Sequence, residues 1–378
     1  MIIRGSAASV ILRHFTLQTL LVVGVVGTLP AQEESSSAEL RQEYPPGLYA
    51  ELVTPKGLIA ISLAFGRAPM TVSNFVGLAE GTIQNQAFPL GRPYYDGTVF
   101  HRVAPGHVIQ AGIPDSEVAS TPGYSIPNEI HPMLTHHKAG MVGMVNGGPH
   151  TGKSQFYITL GDRSYLDGDY AVFGEVYAGM DVVRDIVRGD PIETVRIVRV
   201  GAEAGAFRPD TESFHRLREE VRERVLAREE AQRADDLAFL EASWPHAVET
   251  EGEWSYVVIR AGRGMPLLEG DTAMVRYTGR TLRGLSFAST EDEGKPDYFW
   301  PGDTEGAPFH FVVGETSVNP GFDEAVADMV RGEKRLVIVP AERGYDPVGY
   351  YGIERSGMPR FVIRPRSILI YEVEVLAY

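Results

Sequence analysis

Cysteine is missing altogether from this chain of 378 residues. That excludes disulfides, thiolate metal sites, a cysteine nucleophile and lipid attachment through an N-terminal cysteine. Basic charge is also scarce: 35 Lys and Arg stand against 50 Asp and Glu, a formal net charge of −15. Nucleic acid, which favours a basic surface, is therefore not an expected partner, and neither is an anionic membrane surface. A long apolar run is lacking too. Phe15 to Leu29 is mostly apolar, but it is interrupted by Gly24 and Gly27 and falls short of the roughly 20 residues of a spanning helix. Arg4 and Arg13 precede it and Pro30-Ala31 follows. Residues 1–31 thus read as a cleaved export signal, an uncleaved anchor being the alternative. Residues 32–45 read as a disordered leader. The expected protein is exported, periplasmic or secreted, with no membrane span after cleavage.

The length suits two domains. Gly47 to Phe65 reads as a strand pair turning at Pro55-Lys56-Gly57. Val72, Phe75, Val76 and Ala79 follow at helical spacing, with Thr71 as the expected cap and Gly81 as the stop. Short strands recur from Gly140 to Val176, a second amphipathic helix spans Gly179 to Gly189, and Val195 to Val200 reads as a last strand. Many short strands with two helices suggest a mainly β unit, a closed antiparallel barrel capped by helices. Arg208 to Trp244 is charged and glycine-free, with Phe214, Leu217, Val221 and Val225 at helical spacing. It predicts a solvated connecting helix, a dimerising coiled coil being the other possibility.

One stretch organises the first domain: VFHRVAPGHVIQA, Val99 to Ala111. Arg102 sits alone in an apolar, strand-like run before the Pro105-Gly106 turn. A fixed cation among apolar strands is costly unless it is used or paired. Downstream, VNGGPHTGKSQFYITLGDRSYLDGDYAVFGEV (Val145 to Val176) supplies apolar and amide groups. In order across Tyr49 to Val200 these stretches resemble the cyclophilin family of peptidyl-prolyl isomerases. The resemblance implies a closed barrel capped by two helices over residues 46–203, and catalysis without a cofactor or metal. It makes Arg102 the donor to the proline nitrogen, with Gln110 holding the substrate carbonyl and steadying the arginine. Asn146 would grip the peptide through its backbone, and Val145, Gly147 and Gln155 would line the groove. His107, Val108, Tyr157, Tyr165, Leu166 and Tyr170 would form the proline socket. His107 stands where the family usually has Phe. With an ordinary histidine titrating near 6.5, activity is expected to fall below about pH 6.

After a helical linker (204–250), residues 251–378 hold YTG, GFDEAV and a closing SILIYEVEVLAY strand. In that order they resemble the FKBP family, an α+β fold whose curved sheet wraps one helix. The implied pocket comprises Tyr277, Phe287, Phe309, Val318, Asn319, Phe322, Tyr345 and Tyr371. An extra loop is expected at Asp297 to Ala307, and Asn319 should offer its backbone donor. His131, His136 and His137 cluster without convincing metal-site spacing. The expected function is peptidyl-prolyl isomerisation of proline-containing polypeptide clients during folding. The alternative is a holdase or interaction protein whose pockets only grip chains.

Overall fold

A computed structural model describes residues 44–114, 118–284, 286–291, 308–315, 319–346, 349–353 and 359–376. The export signal, residues 32–43 of the leader, the Asp297–Ala307 loop and Val318 lie outside the described residues; at the leader's end Pro45 is held, its carbonyl accepting from Tyr49 Oη (3.0 Å). The first domain is built on an antiparallel pair, β1 (Gly47–Thr54) and β2 (Gly57–Leu63). Thr54 fixes the turn: its hydroxyl donates to the Gly57 carbonyl (2.8 Å) and accepts from Lys56 N–H (3.2 Å). Alternation then sends Leu48, Ala50 and Leu52, with Ile59, Ile61 and Leu63, into the core. β3 (Arg102–Ala104), β4 (Val108–Ala111), β5 (Met141–Met144), β6 (Phe156–Thr159), β7 (Val172–Ala178) and β8 (Thr194–Val200) complete one eight-stranded sheet. Its order is β3-β4-β6-β5-β7-β2-β1-β8.

The named strands by themselves do not close the expected barrel, their path running from β3 to β8. The segments leading into these edges are nonetheless joined about a bridge from Val99 to Pro191, with backbone hydrogen bonds from Phe100 N–H to Asp190 O (2.9 Å), Gly189 N–H to Phe100 O (2.9 Å), Ile192 N–H to Thr98 O (2.7 Å) and Gly97 N–H to Ile192 O (2.8 Å). The pairing there is irregular rather than absent, and β3 itself is three residues long. Two helices pack here as expected, α1 (Pro69–Glu80) and α2 (Met180–Asp185). Gly81 closes α1 in the left-handed region, φ 69°. Thr71, however, is not its cap. Ala68 takes that position, and the carboxylate of Glu129 accepts from Thr71 N–H (2.8 Å) and its hydroxyl (3.0 Å). α2 stops before Val187, which turns outward as Asp190 accepts its N–H (2.8 Å).

α3 (Ala202–Ala206) leads into α4 (Thr211–Ser243), a helix of 33 residues. A reciprocal bond between Asp210 and Ser213 starts it. One face of α4 is not solvated. Phe214 and Val221 are buried in the first core, with Leu217 and Val225 packed against it. Near its far end Leu240 and Trp244 pack against Leu282, Ile338 and Ile370 of the second domain.

The second domain's sheet joins β9 (Val248–Glu249), β10 (Ser255–Arg260), β11 (Thr272–Thr281), β12 (Ser286–Ser289), β13 (Phe309–Val312), β14 (Lys334–Val339) and β17 (Leu369–Val375). α5 (Pro320–Ala327) packs against it through Phe322, Ala325 and Val326. A separate hairpin, β15 (Tyr350–Ile353) with β16 (Pro359–Ile363), was not anticipated from the sequence. Among the described residues, no helix is long and apolar enough to cross a membrane.

Candidate active site

Strand register assembles the site. Arg102 lies opposite Gln110, Gln110 opposite Tyr157, and Tyr157 opposite Gly143. Opposed residues of antiparallel strands share a face, so these side chains form one row across β3, β4, β6 and β5. Their neighbours Ile109, Ala111, Phe156 and Ile158 turn the other way into the main core. Val108, Tyr157 and Leu166 form a separate buried cluster ringed by Val145, Tyr165 and Tyr170. A groove of about 330 Å³ runs over it. Its lining includes Arg102, Gln110, His107, Asn146 and Gly147. The structure thus brings the expected first-domain residues together. Gln155 and Tyr165 stand one bond behind the groove wall.

Arg102 is exposed, so the charge is not taken out of water. Nη1 donates to Gln110 Oε1 at 3.5 Å, the long limit of a hydrogen bond. Gln110 in turn donates to Gln155 Oε1 at 3.0 Å. Among the described residues no carboxylate reaches Arg102, which leaves the guanidinium's donors available to the groove.

The floor is held from below. Tyr157 Oη lies 2.7 Å from His136 Nε2, and His136 Nδ1 lies 2.6 Å from Asp167 Oδ1. With the carboxylate accepting from Nδ1–H, Nε2 is the acceptor and the tyrosine donates. Desolvation of the fully buried ring lowers the His136 pKa, opposed by Asp167. Both ring nitrogens of His136 are therefore engaged. Gly143, opposite, has no room for a Cβ because the Tyr157 hydroxyl occupies it. Sequence reasoning weighed His136 only as a metal ligand and missed this role. Tyr157→Phe should leave a buried imidazole nitrogen without its partner. The expected cost is about 1–3 kcal/mol, measured by urea unfolding of the intact chain.

His107 corrects the expectation about pH. Its Nδ1 accepts from Arg163 Nε (3.1 Å), and Tyr165 Oη lies 3.2 Å away. Desolvation, then the charges of Arg163 and Arg102, lower its pKa to about 4. The ring is thus neutral at pH 6, and the expected loss of activity there does not follow. Because the folded pKa is depressed, the ring's contribution to stability is present above about pH 6.5 and is lost as pH falls toward 4. Turnover of wild type and His107→Phe should give superimposable profiles from pH 5 to 8 and part only near pH 4. Arg163, which the sequence reading also missed, is the buried residue that holds this ring.

The strip beside the groove is tied to the loop after Leu166. Asn146 Nδ2 donates to the Asp169 carbonyl (2.8 Å) and its Oδ1 accepts from Gly148 N–H (3.2 Å). Burial raises the Asp169 carboxyl pKa to about 6, with Arg364 of the second domain pulling it back down.

In the second domain, Tyr277 lies 5.2 Å from Phe322, 5.9 Å from Phe309 and 6.2 Å from Tyr371, ring centre to centre. Tyr371 lies 5.5 Å from Phe287 and 4.8 Å from Phe322. Phe287, Phe322 and Tyr371 are buried, and Tyr277, Phe309 and Tyr345 are partly so. Asn319 acts through its side chain, which donates to Tyr371 Oη (2.5 Å) and caps α5 by accepting from Phe322 N–H (3.2 Å).

Each half matches a known family. The family described as cyclophilin type peptidyl-prolyl cis-trans isomerase/CLD matches residues 49–202. The family described as FKBP-type peptidyl-prolyl cis-trans isomerase matches residues 266–376. Peptidyl-prolyl cis-trans isomerase A of Mycobacterium tuberculosis is 45% identical over 131 residues, 34% of this chain and 72% of its own. Peptidyl-prolyl cis-trans isomerase ppi1 of Schizosaccharomyces pombe is 39% identical over 161 residues, 40% of this chain and 97% of its own. A solved cyclophilin type isomerase of Cryptosporidium parvum aligns over 41% of this chain and 98% of its own, at 25% identity and a TM-score of 0.33. The chain belongs to the peptidyl-prolyl cis-trans isomerases, with a cyclophilin-type domain followed by an FKBP-type one.

Proposed function

We propose that the first groove turns prolyl peptide bonds by binding the twisted amide, with Arg102 as donor to the proline nitrogen. Peptide-bond rotation breaks resonance against a barrier of about 18–20 kcal/mol. As the amide twists, its nitrogen loses conjugation and becomes an acceptor. Contacts stronger in that state than in either planar one speed the exchange. No nucleophile or proton transfer takes part. Val108, Tyr157 and Leu166 seat the proline ring, Gln110 holds the carbonyl, and the Val145–Gly147 strip grips the flanking backbone. The observation that carries this reading is an exposed guanidinium, with no carboxylate partner among the described residues, in register with Gln110 beside an apolar seat. Clients are proline-containing polypeptides folding outside the cytoplasm, a reading supported by the sequence of residues 1–31.

The second site isomerises or binds the same clients. One observation favours gripping alone at that site: Phe287, Phe322 and Tyr371 are spent in the core. A protease-free exchange assay on Arg102→Ala, run beside aggregation suppression, tests the whole reading. An isomerase loses turnover, whereas a holdase suppresses aggregation as before.

A further inference from the structure

A second cleft, of about 460 Å³, lies between the first domain, α4 and the segment after β16. It shares Asn146 and Gly148 with the groove. A chain passing over that strip from the proline seat enters it directly. Its walls carry four arginines against three carboxylates. Arg364 Nε lies 3.1 Å from Asp169 Oδ2, Arg366 pairs with Glu229, and Arg224 lies 3.6 Å from Glu129. That leaves Arg228, exposed on the same face of α4 one turn after Arg224, with no ion pair among the described residues. His150 adds a donor at the rim but is turned to Glu229 (2.8 Å). The cleft therefore offers a free cation in a chain whose net charge is −15.

We propose that this cleft extends the first groove and receives an acidic residue flanking the client's proline, with Arg228 as its partner. The inference rests on the reading of Arg102 given above and deepens it. Two domains and a helix are needed to build the subsite, so substrate choice in the first domain depends on the second. Selectivity arises because an acidic flank meets a cation that no protein carboxylate neutralises among the described residues, while a basic flank meets repulsion from Arg228.

The test uses the intact chain and proline peptides of equal length. One carries Glu residues before the proline, one carries them after it, and one carries Gln instead. In a protease-free exchange assay one acidic peptide should exceed the Gln peptide in kcat/KM by about two- to fivefold, the range of an exposed ion pair. The gap should close in Arg228→Gln and shrink in high salt. Equal rates for the three peptides, or a preference that survives Arg228→Gln, would overturn the proposal. Anisotropy of the same peptides, labelled, reads the preference through affinity even where turnover is low. Loss of the charge preference with Arg102-dependent turnover intact sinks the subsite alone. Turnover unaffected by Arg102→Ala sinks the catalytic reading instead.

Discussion

Arg102→Ala should lower kcat/KM at the first site by about 10²–10³-fold, the usual effect of removing one donor aimed at developing charge or lone-pair density. The loss should fall mainly on kcat, because the guanidinium interacts with a nitrogen that accepts only once the amide has twisted. No neighbour can take its place. His107 is held neutral, and Arg163 is turned to His107 Nδ1 rather than to the groove. Gln110 would lose one contact at 3.5 Å and keep its bond to Gln155. The side chain is exposed, so the fold should change by no more than about 0.5 kcal/mol. Lost turnover would then not reflect unfolding. Arg102→Lys should recover only part of the rate, since an ammonium is a point charge without the planar fork. Exchange that persists in Arg102→Ala sums the first site's remainder and the rate of the second site. A total left unchanged by Arg102→Ala when Phe309→Ala has opened the second pocket would remove Arg102 from the mechanism.

The largest loss of stability is expected from Arg335→Met in the second domain, about 3–5 kcal/mol. Arg335 is only 6% exposed, and its partner Glu333 only 5%. Its Nε donates to Glu333 Oε1 and its Nη1 to Asp328 Oδ2, both at 2.6 Å. Its guanidinium carbon sits 4.0 Å from the centre of the Tyr256 ring. Methionine fills much of the volume but leaves Glu333 as a buried anion with little besides Val330 N–H, at 3.0 Å, to hold it. The double variant Arg335→Met, Glu333→Leu should recover much of the loss, because two apolar residues replace a pair rather than orphan one member. All three tryptophans lie at residue 244 or later. Tryptophan fluorescence during urea unfolding therefore reports chiefly on this half. An unchanged transition would show that the buried network contributes little.

What the sequence revealed of the site came from the resemblance of its FHRV, VNGGP and SQF stretches to the cyclophilin family. The structure supplies the reason the stretch works, since its register sets Arg102, Gln110 and Val108 on one face of a short hairpin. Phe214, Leu217, Val221 and Val225 likewise announced a helical stripe, though not the surface that would cover it. The features that escaped are long-range and depend on side-chain reach. Nothing local links His136 to Tyr157 or Arg163 to His107, and only folding brings Glu129 to the start of α1 in place of a Thr71 cap. The irregular pairing of residues 97–100 with 189–192, on both sides of Pro191, was likewise not legible from the sequence.

The path of α4 has a practical consequence for dissecting the chain. Its first half is part of the front domain's interior rather than a tether, for Phe214 and Val221 are wholly covered there. Each such side chain is worth about 1.5–3 kcal/mol when buried. A truncation ending at the last strand of the front domain would strip them away and expose the greasy seat beneath. A fragment starting at residue 251 would lose Leu240 and Trp244 from its own underside. The scissors belong between residues 226 and 237, where the helix touches neither core, and even there the cut severs a continuous rod.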